Sequence, residues 1–187
     1  MALNEKDQEL QALAEGVNLQ PRVHFDHTFK TPYPLIDNDP HFLRVVRYFR
    51  AQDYLAWAAG AAAFPALFYT IETYEKSVPK NKLGRNLGVA TLLGTIGGFL
   101  FSYQNSSKRF WGWSENERER LKDLAEMRIR FKEGKPLYGT SNLDTYYQQV
   151  ASNNSRYSAL KMSAIPWFNF VNHNYHGVDT EKYAEEE

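Results

Sequence analysis

The chain has 187 residues, with 22 basic and 22 acidic side chains, five histidines and no cysteine. Balanced charge without a long basic run argues against nucleic-acid binding, which needs clustered Lys and Arg to neutralise phosphates. The lack of cysteine excludes a disulfide framework, a thiolate zinc site, an Fe–S cluster and a thiol nucleophile.

The first residues, MALNEKDQELQALAEG, read as a short surface helix that Asn4 can cap and Gly16 can stop. Their four acidic groups against one Lys6 are unlike an Arg-rich presequence, and no early apolar core marks a secretory signal. Targeting information is therefore expected inside the chain. Residues 17–40 hold Pro21, Pro32, Pro34 and Pro40 and read as an extended segment. Asp39-Pro40 supplies a helix cap followed by Pro at the first helical position. The next run, HFLRVVRYFRAQD, puts Arg44, Arg47 and Arg50 on one flank and Phe42, Val45, Val46 and Phe49 on the other. That pattern suits an interfacial helix whose guanidinium groups reach lipid phosphates, and it suits an ordinary solvated basic face equally.

The mean hydropathy of −0.57 conceals a segregated chain. Tyr54 to Ile71 and Asn86 to Ser107 contain no charge. A membrane helix needs ~20 mostly apolar residues, so both windows are read as spans. Soluble helices usually keep a polar stripe, and neither window has a charged one. Pro65 inside the first span is tolerated where neighbours satisfy the freed carbonyl. Tyr54, Trp57, Tyr69, Trp111 and Trp113 fall near the span ends, where amphipathic rings collect. The connector between Glu72 and Arg85 is short, so the spans form an antiparallel hairpin with both termini on one side. Eight basic residues near the terminal side outnumber four in the connector, which places the termini toward the matrix or cytoplasm.

Within the second span, Gly94 and Gly98 lie four residues apart, extended on the same face by Ala90 and Ser102. Small residues at that spacing let a second helix approach closely. Ala58, Ala62 and Ala66 form a similar face on the first span. The two faces can meet each other or outside helices, and at least one outside contact is expected. After the spans, Ser114-x-x-Glu117 reads as a capping box, and Gly134 with Pro136 ends the helix. Its apolar stripe is Leu121, Leu124, Ala125, Met127 and Phe131, too narrow to stand without a partner surface. A helix near 142–152, an Asn-Asn break, a short helix near 155–164 and the run PWFNFVNHNYHGVD complete the chain before an acidic tail.

Chemistry is sparse. His24/His27 and His173/His176 are H-x-x-H pairs, but without cysteine or an H-E-x-x-H helix the better reading is structural. Asp37-Asn38-Asp39 starts like a calcium loop yet lacks its Gly and distal Glu. There is no P-loop, dinucleotide fingerprint or nucleophile elbow. No catalytic, cofactor-binding or metal residue is assigned, and no cofactor is expected. Two spans without an intramembrane charge form neither a transport path nor a proton relay. These features describe an all-α protein: a two-span transmembrane hairpin with amphipathic extramembrane helices and extended segments. Its parts are 1–40, 41–107 and 108–187.

The stretch YPLIDNDPHFLRVVRYFRAQDY (33–54), the paired spans, FLFSYQNSSKRFWGWSENERE (99–119) and the terminal PWFNFVNHNYHG resemble the 21 kDa accessory subunit family of mitochondrial complex I. The resemblance covers nearly the whole chain and rests most on the P-x-I-D-x-D-P block running into the arginine helix. It implies the mitochondrial inner membrane and a non-catalytic subunit of NADH:ubiquinone oxidoreductase supporting assembly or stability of the membrane arm. Its partners would be other membrane-arm subunits and inner-membrane phospholipids. A two-span component of a protein-import or membrane-shaping machine is the alternative that the residues leave open.

Overall fold

The computed structural model describes residues 30–74, 82–158 and 167–184. The N-terminal acidic helix expected over 1–16, His24 and His27, and most of the short helix expected near 155–164 lie outside them. Among the described residues the chain is helical: α1 (Phe42–Arg47), α2 (Ala51–Tyr74), α3 (Leu83–Phe110), α4 (Glu117–Lys132), α5 (Thr145–Ser155) and a final 3-10 turn (Glu181–Tyr183).

The helices α2 and α3, of 24 and 28 residues, are long and apolar enough to cross a membrane. At ~1.5 Å per residue they reach about 36 and 42 Å, beyond a ~30 Å hydrocarbon core. They pack on each other as a hairpin, and α2 continues through Pro65. The outward side chains are large and apolar: Leu55, Phe64, Leu67, Ile71, Leu92, Leu93 and Phe101 are all exposed. A water-soluble domain would bury such a set, whereas lipid tails solvate it.

The close face of α3 is Ala90, Gly94, Gly98 and Ser102, all buried. The stripe runs one step further, to Ser106. A Cβ placed on Gly94 would come within 2.5 Å of the Gly60 carbonyl oxygen and 2.7 Å of Phe64 Cβ. A Cβ on Gly98 would come within 2.7 Å of the Trp57 carbonyl oxygen. The surface that meets this stripe is Trp57, Gly60 and Phe64, on roughly the opposite side of the helix from the alanine face. Ala58, Ala62 and Ala66 are exposed instead. The physical reason is that Gly60 brings backbone to backbone, which alanine methyls would prevent.

At the end where α2 begins and α3 finishes, the remaining segments assemble into a cap. Ile36, Val45, Tyr48, Phe49, Tyr103, Phe110 and Trp111 form its apolar centre. Ile36 and Asp37 backbone N–H groups donate to the Phe110 carbonyl at 2.9 and 3.1 Å. The extended segment 167–176 returns to this centre: Phe42 N–H donates to the Asn169 carbonyl at 2.7 Å, and Asn38 N–H to that of His176 at 3.1 Å. Gly112 and Gly177 turn the chain at positive φ against neighbouring backbone and the Asn38 side chain.

Three local expectations are corrected. The α1 cap is His41, whose Nδ1 accepts the Leu43 N–H at 3.2 Å, because Asp39 is buried and engaged elsewhere. The α4 cap is Asn116 and not Ser114; Glu117 N–H donates to the Glu115 side chain at 2.9 Å, while the Asn116 amide holds the carbonyls of Pro34 and Arg109. Helix α5 passes through Asn153-Asn154 and stops at Ser155, since Ser152 and Ser155 anchor that face to buried partners.

Candidate functional site: a charged junction at the base of the hairpin

Helix α4 turns its charged face inward. Glu119, Asp123 and Met127 are buried, while Leu121, Ala125 and Phe131 of the expected apolar stripe are exposed. The cause is the guanidinium row of α1 and the link that follows it. Arg44 donates from Nη1 to Asp37 at 2.7 Å and from Nη2 to Asp123. Arg50 grips Glu119 through Nε at 2.7 Å and Nη2 at 2.5 Å, and reaches Glu115 at 2.9 Å. Arg47 contacts Glu126 at 3.3 Å, and Lys122 closes the ladder on the Arg47 carbonyl at 3.0 Å. Charged groups buried this far need partners within contact distance, so the complementary rows dictate which face of α4 turns in.

The three arginines expected at lipid phosphates therefore divide. Arg44 and Arg50 act inside the protein, with side chains 10 % and 21 % exposed, so the headgroup reading does not hold for them. Arg47 keeps a 58 % exposed side chain.

Arg109, at the last turn of α3, ties the hairpin to this junction. It pairs with Asp53 of α2 and with Glu119 of α4 at 3.3 Å. Asp53 also accepts the Arg50 N–H at 2.7 Å, fixing the start of α2. Ser102 donates to the Asp53 carbonyl at 2.7 Å and Ser106 to that of Val45 at 3.0 Å. One chain of polar contacts thus runs from the membrane-side helices to α4.

On the other side of Arg44, the D-x-D block meets the C-terminal histidines. His173 Nδ1 accepts the Tyr175 N–H at 3.2 Å, so its proton sits on Nε2 and points to Asp39 at 2.7 Å. Both nitrogens of His176 face acceptors, Asp37 at 2.7 Å and the His173 carbonyl at 2.7 Å. The rings of Tyr138, His176 and His173 stack. Ser155 donates to Asp39.

Electrostatics separate the two carboxylates on Arg44. Burial works against the Asp37 anion, but the charges of His176 and Arg44 outweigh it and hold the carboxyl below its ordinary range. Burial raises Asp123, and its share of Arg44 and the Tyr183 hydroxyl do not fully offset that. The guanidinium of Arg44 is held firmly protonated by Asp37 and Asp123 against the cost of its burial.

Among the described residues no group of three or more His, Asp or Glu is placed to hold a metal ion. The His–Asp pairs are already satisfied by each other and by backbone. This arrangement locks segments together.

Two family models match the chain. Residues 30–115 match NADH-ubiquinone oxidoreductase complex I, 21 kDa subunit, and residues 124–187 match the C-terminal of NADH-ubiquinone oxidoreductase 21 kDa subunit. The NADH-ubiquinone oxidoreductase 20.9 kDa subunit of Neurospora crassa is 48 % identical over 167 residues, covering 89 % of this chain and 88 % of the relative. The first model takes in the hairpin, Arg109 and the aspartates of the D-x-D block; the second takes in Glu126, His173 and His176. This chain belongs to the 21 kDa subunit family of NADH-ubiquinone oxidoreductase complex I.

Proposed function

We propose that the chain braces the membrane arm of complex I, with the hairpin embedded beside neighbouring helices and the charged cap on the matrix side. Family membership makes it an accessory, non-catalytic subunit of complex I, located in the mitochondrial inner membrane among other complex I subunits. Supporting assembly or stability of the membrane arm is the role that fits this construction best. The observation that carries it is the division of the molecule into a hairpin with an apolar outer surface and a cap stitched by buried ion pairs. Rigid ion-pair stitching suits a part that holds geometry and performs no chemistry. The exposed Ala58, Ala62 and Ala66 face is the surface we assign to an outside helix.

Deleting the chain and separating native membrane complexes tests this reading. The expected result is less assembled complex, with NADH:quinone turnover per remaining complex close to normal. Unchanged complex content with reduced turnover would overturn the brace and point to a part in catalysis. Protease added to mitoplasts should cut the connector and spare the C-terminal helices; loss of the C-terminal end would reverse the orientation.

A further inference from the structure

A cleft of about 410 Å³ opens between α1, α4, the 137–139 turn and the returning C-terminal segment. Its floor is settled: Asp37, Arg44 and His176 satisfy one another. Its mouth is not. Arg47 and Arg130 both lean on a single oxygen of Glu126, at 3.3 and 3.2 Å, and Arg130 also donates from Nη1 to the Leu137 carbonyl at 3.1 Å, so two guanidinium groups share one carboxylate and one positive charge is left over. The other Glu126 oxygen accepts the Tyr48 hydroxyl at 3.0 Å. His41, also lining the cleft, uses Nδ1 as the α1 cap, which leaves its proton on Nε2 as a further donor.

The cleft also lies beside the level of the lipid. Phe42, at the start of α1, stacks on Tyr103 and approaches Phe99, both on the charge-free part of α3. Phe170 packs on Phe42 with ring centroids 5.1 Å apart and is itself 65 % exposed. Leu43 and Val171, the chain neighbours of those two rings, line the cleft, and Leu43 is 59 % exposed. Cationic donors therefore sit directly above an exposed apolar step, which is the layout of a phospholipid at the point where headgroup meets chain.

We propose that this cleft seats the phosphodiester of a monoanionic phospholipid. Arg47, Arg130 and the His41 Nε2–H donate to the phosphate oxygens. The glycerol and first acyl carbons lie over Leu43 and Val171. The proposal rests on the membrane reading above and adds to it a specific, charge-selective lipid site that includes two residues, His41 and Arg130, outside the triplet of Arg44, Arg47 and Arg50.

The test uses the full chain, delipidated in detergent, titrated with dihexanoyl phosphatidylglycerol, dihexanoyl phosphatidylcholine or inorganic phosphate and read by calorimetry. One phosphatidylglycerol should bind per chain, at least about tenfold tighter than either comparator, and Arg47→Gln with Arg130→Gln should remove at least about tenfold of that affinity. Glu126→Gln removes the competing carboxylate and should tighten binding several-fold, so a misfolded double variant cannot shield the idea. Arg118→Gln, an exposed arginine outside the cleft lining, should change nothing. Equal binding of phosphate would overturn the lipid in favour of a soluble anion. Equal binding of phosphatidylcholine, or no effect of the double and Glu126 variants, would overturn the site. Alkaline carbonate extraction separates the two readings: a chain released from the membrane refutes the hairpin, whereas a retained chain without lipid selectivity refutes only the cleft.

Discussion

The two interfaces of this molecule are built on opposite principles. Between α2 and α3, closeness is achieved by removing side chains: Gly60, Gly94 and Gly98 bring backbones into contact, and the ion pair of Arg109 with Asp53 stands only at the cap end of the hairpin. Between α4 and the segment of α1 with the link that follows it, closeness is enforced by long charged side chains that reach into contact, with Asp123 and Glu119 buried and Arg44 and Arg50 mostly so. In lipid there is no hydrophobic drive to push helices together, so packing area must come from small residues. At the cap, water is available to the unfolded chain, and buried ion pairs add geometric selectivity at little net stability. The first interface tolerates no added volume. The second tolerates volume and no unmatched charge.

The largest effect is expected where charge is unmatched. Replacing Arg44 by Met leaves Asp37 and Asp123 buried without their cation and should cost about 3–5 kcal/mol. Thermal unfolding of the purified chain measures it, and loss of the cap should precede loss of the hairpin helices in the circular dichroism signal. A change under 1 kcal/mol would mean that the ladder is not what holds α4.

Volume comes next. Gly94→Leu or Gly98→Leu forces the helices apart and should cost ~1–3 kcal/mol in hairpin packing. The span would still insert, because Leu partitions into the bilayer better than Gly. Crosslinking between cysteines introduced on α2 and α3 should fall while carbonate resistance stays intact. Leu92→Ile, at an exposed position, should leave the crosslink unchanged.

Acid separates the two carboxylates on Arg44. Asp37, held below its ordinary range, stabilises the fold at all pH values above that range and loses its contribution only as pH falls through its depressed folded value. Asp123, raised by burial, takes up its proton earlier in the folded state, so falling pH relieves it. Asp37→Asn should therefore reduce stability most near neutrality and little in strong acid, while Asp123→Asn should cost much less at neutral pH. Equal losses for the two variants, measured by denaturant unfolding between pH 3 and 7, would show that they share Arg44 evenly.

The smallest intrinsic effect is expected at the exposed alanine face. Ala62→Leu should leave hairpin stability within about 0.5 kcal/mol. A drop in its share of assembled complex, with the isolated hairpin intact, identifies an outside helix there. Normal assembly would leave lipid as the occupant.

The spans were legible because an uncharged run of that length has few other uses; the helices extend three residues further at each end than the charge-free stretch of the first window, since Asp53 and Glu72 are tolerated at helix ends. The buried face of α3 was legible from its four-residue spacing. Its counterpart was not, because Ala58, Ala62 and Ala66 and the true surface around Gly60 both present small residues, and rotation about a helix axis is not written in composition. The charged ladder was missed although its signal was present. Glu119, Asp123 and Glu126 recur at three- and four-residue steps on α4, and Arg44, Arg47 and Arg50 at three-residue steps along α1 and the link that follows it. Reading each helix alone made the basic face of 41–53 look solvated or turned to lipid and the apolar stripe of α4 look inward. The pairing of Asp37 and Asp39 with His176 and His173 likewise needs both ends of the chain at once.

That last pairing has a bearing on how the molecule is made. The two His–Asp contacts join residues 134 and 139 positions apart. Synthesis delivers the aspartates and Arg44 first, then both hairpin helices, and the histidines only after α5. Throughout that interval the carboxylates and the guanidinium lack part of their final company, and closing so long a loop is entropically slow. The hairpin can be resident in the bilayer well before its cap is shut. An unfinished or C-terminally clipped chain therefore displays an open, charged underside at the membrane surface, a ready mark by which proteolytic surveillance can tell it from a completed subunit.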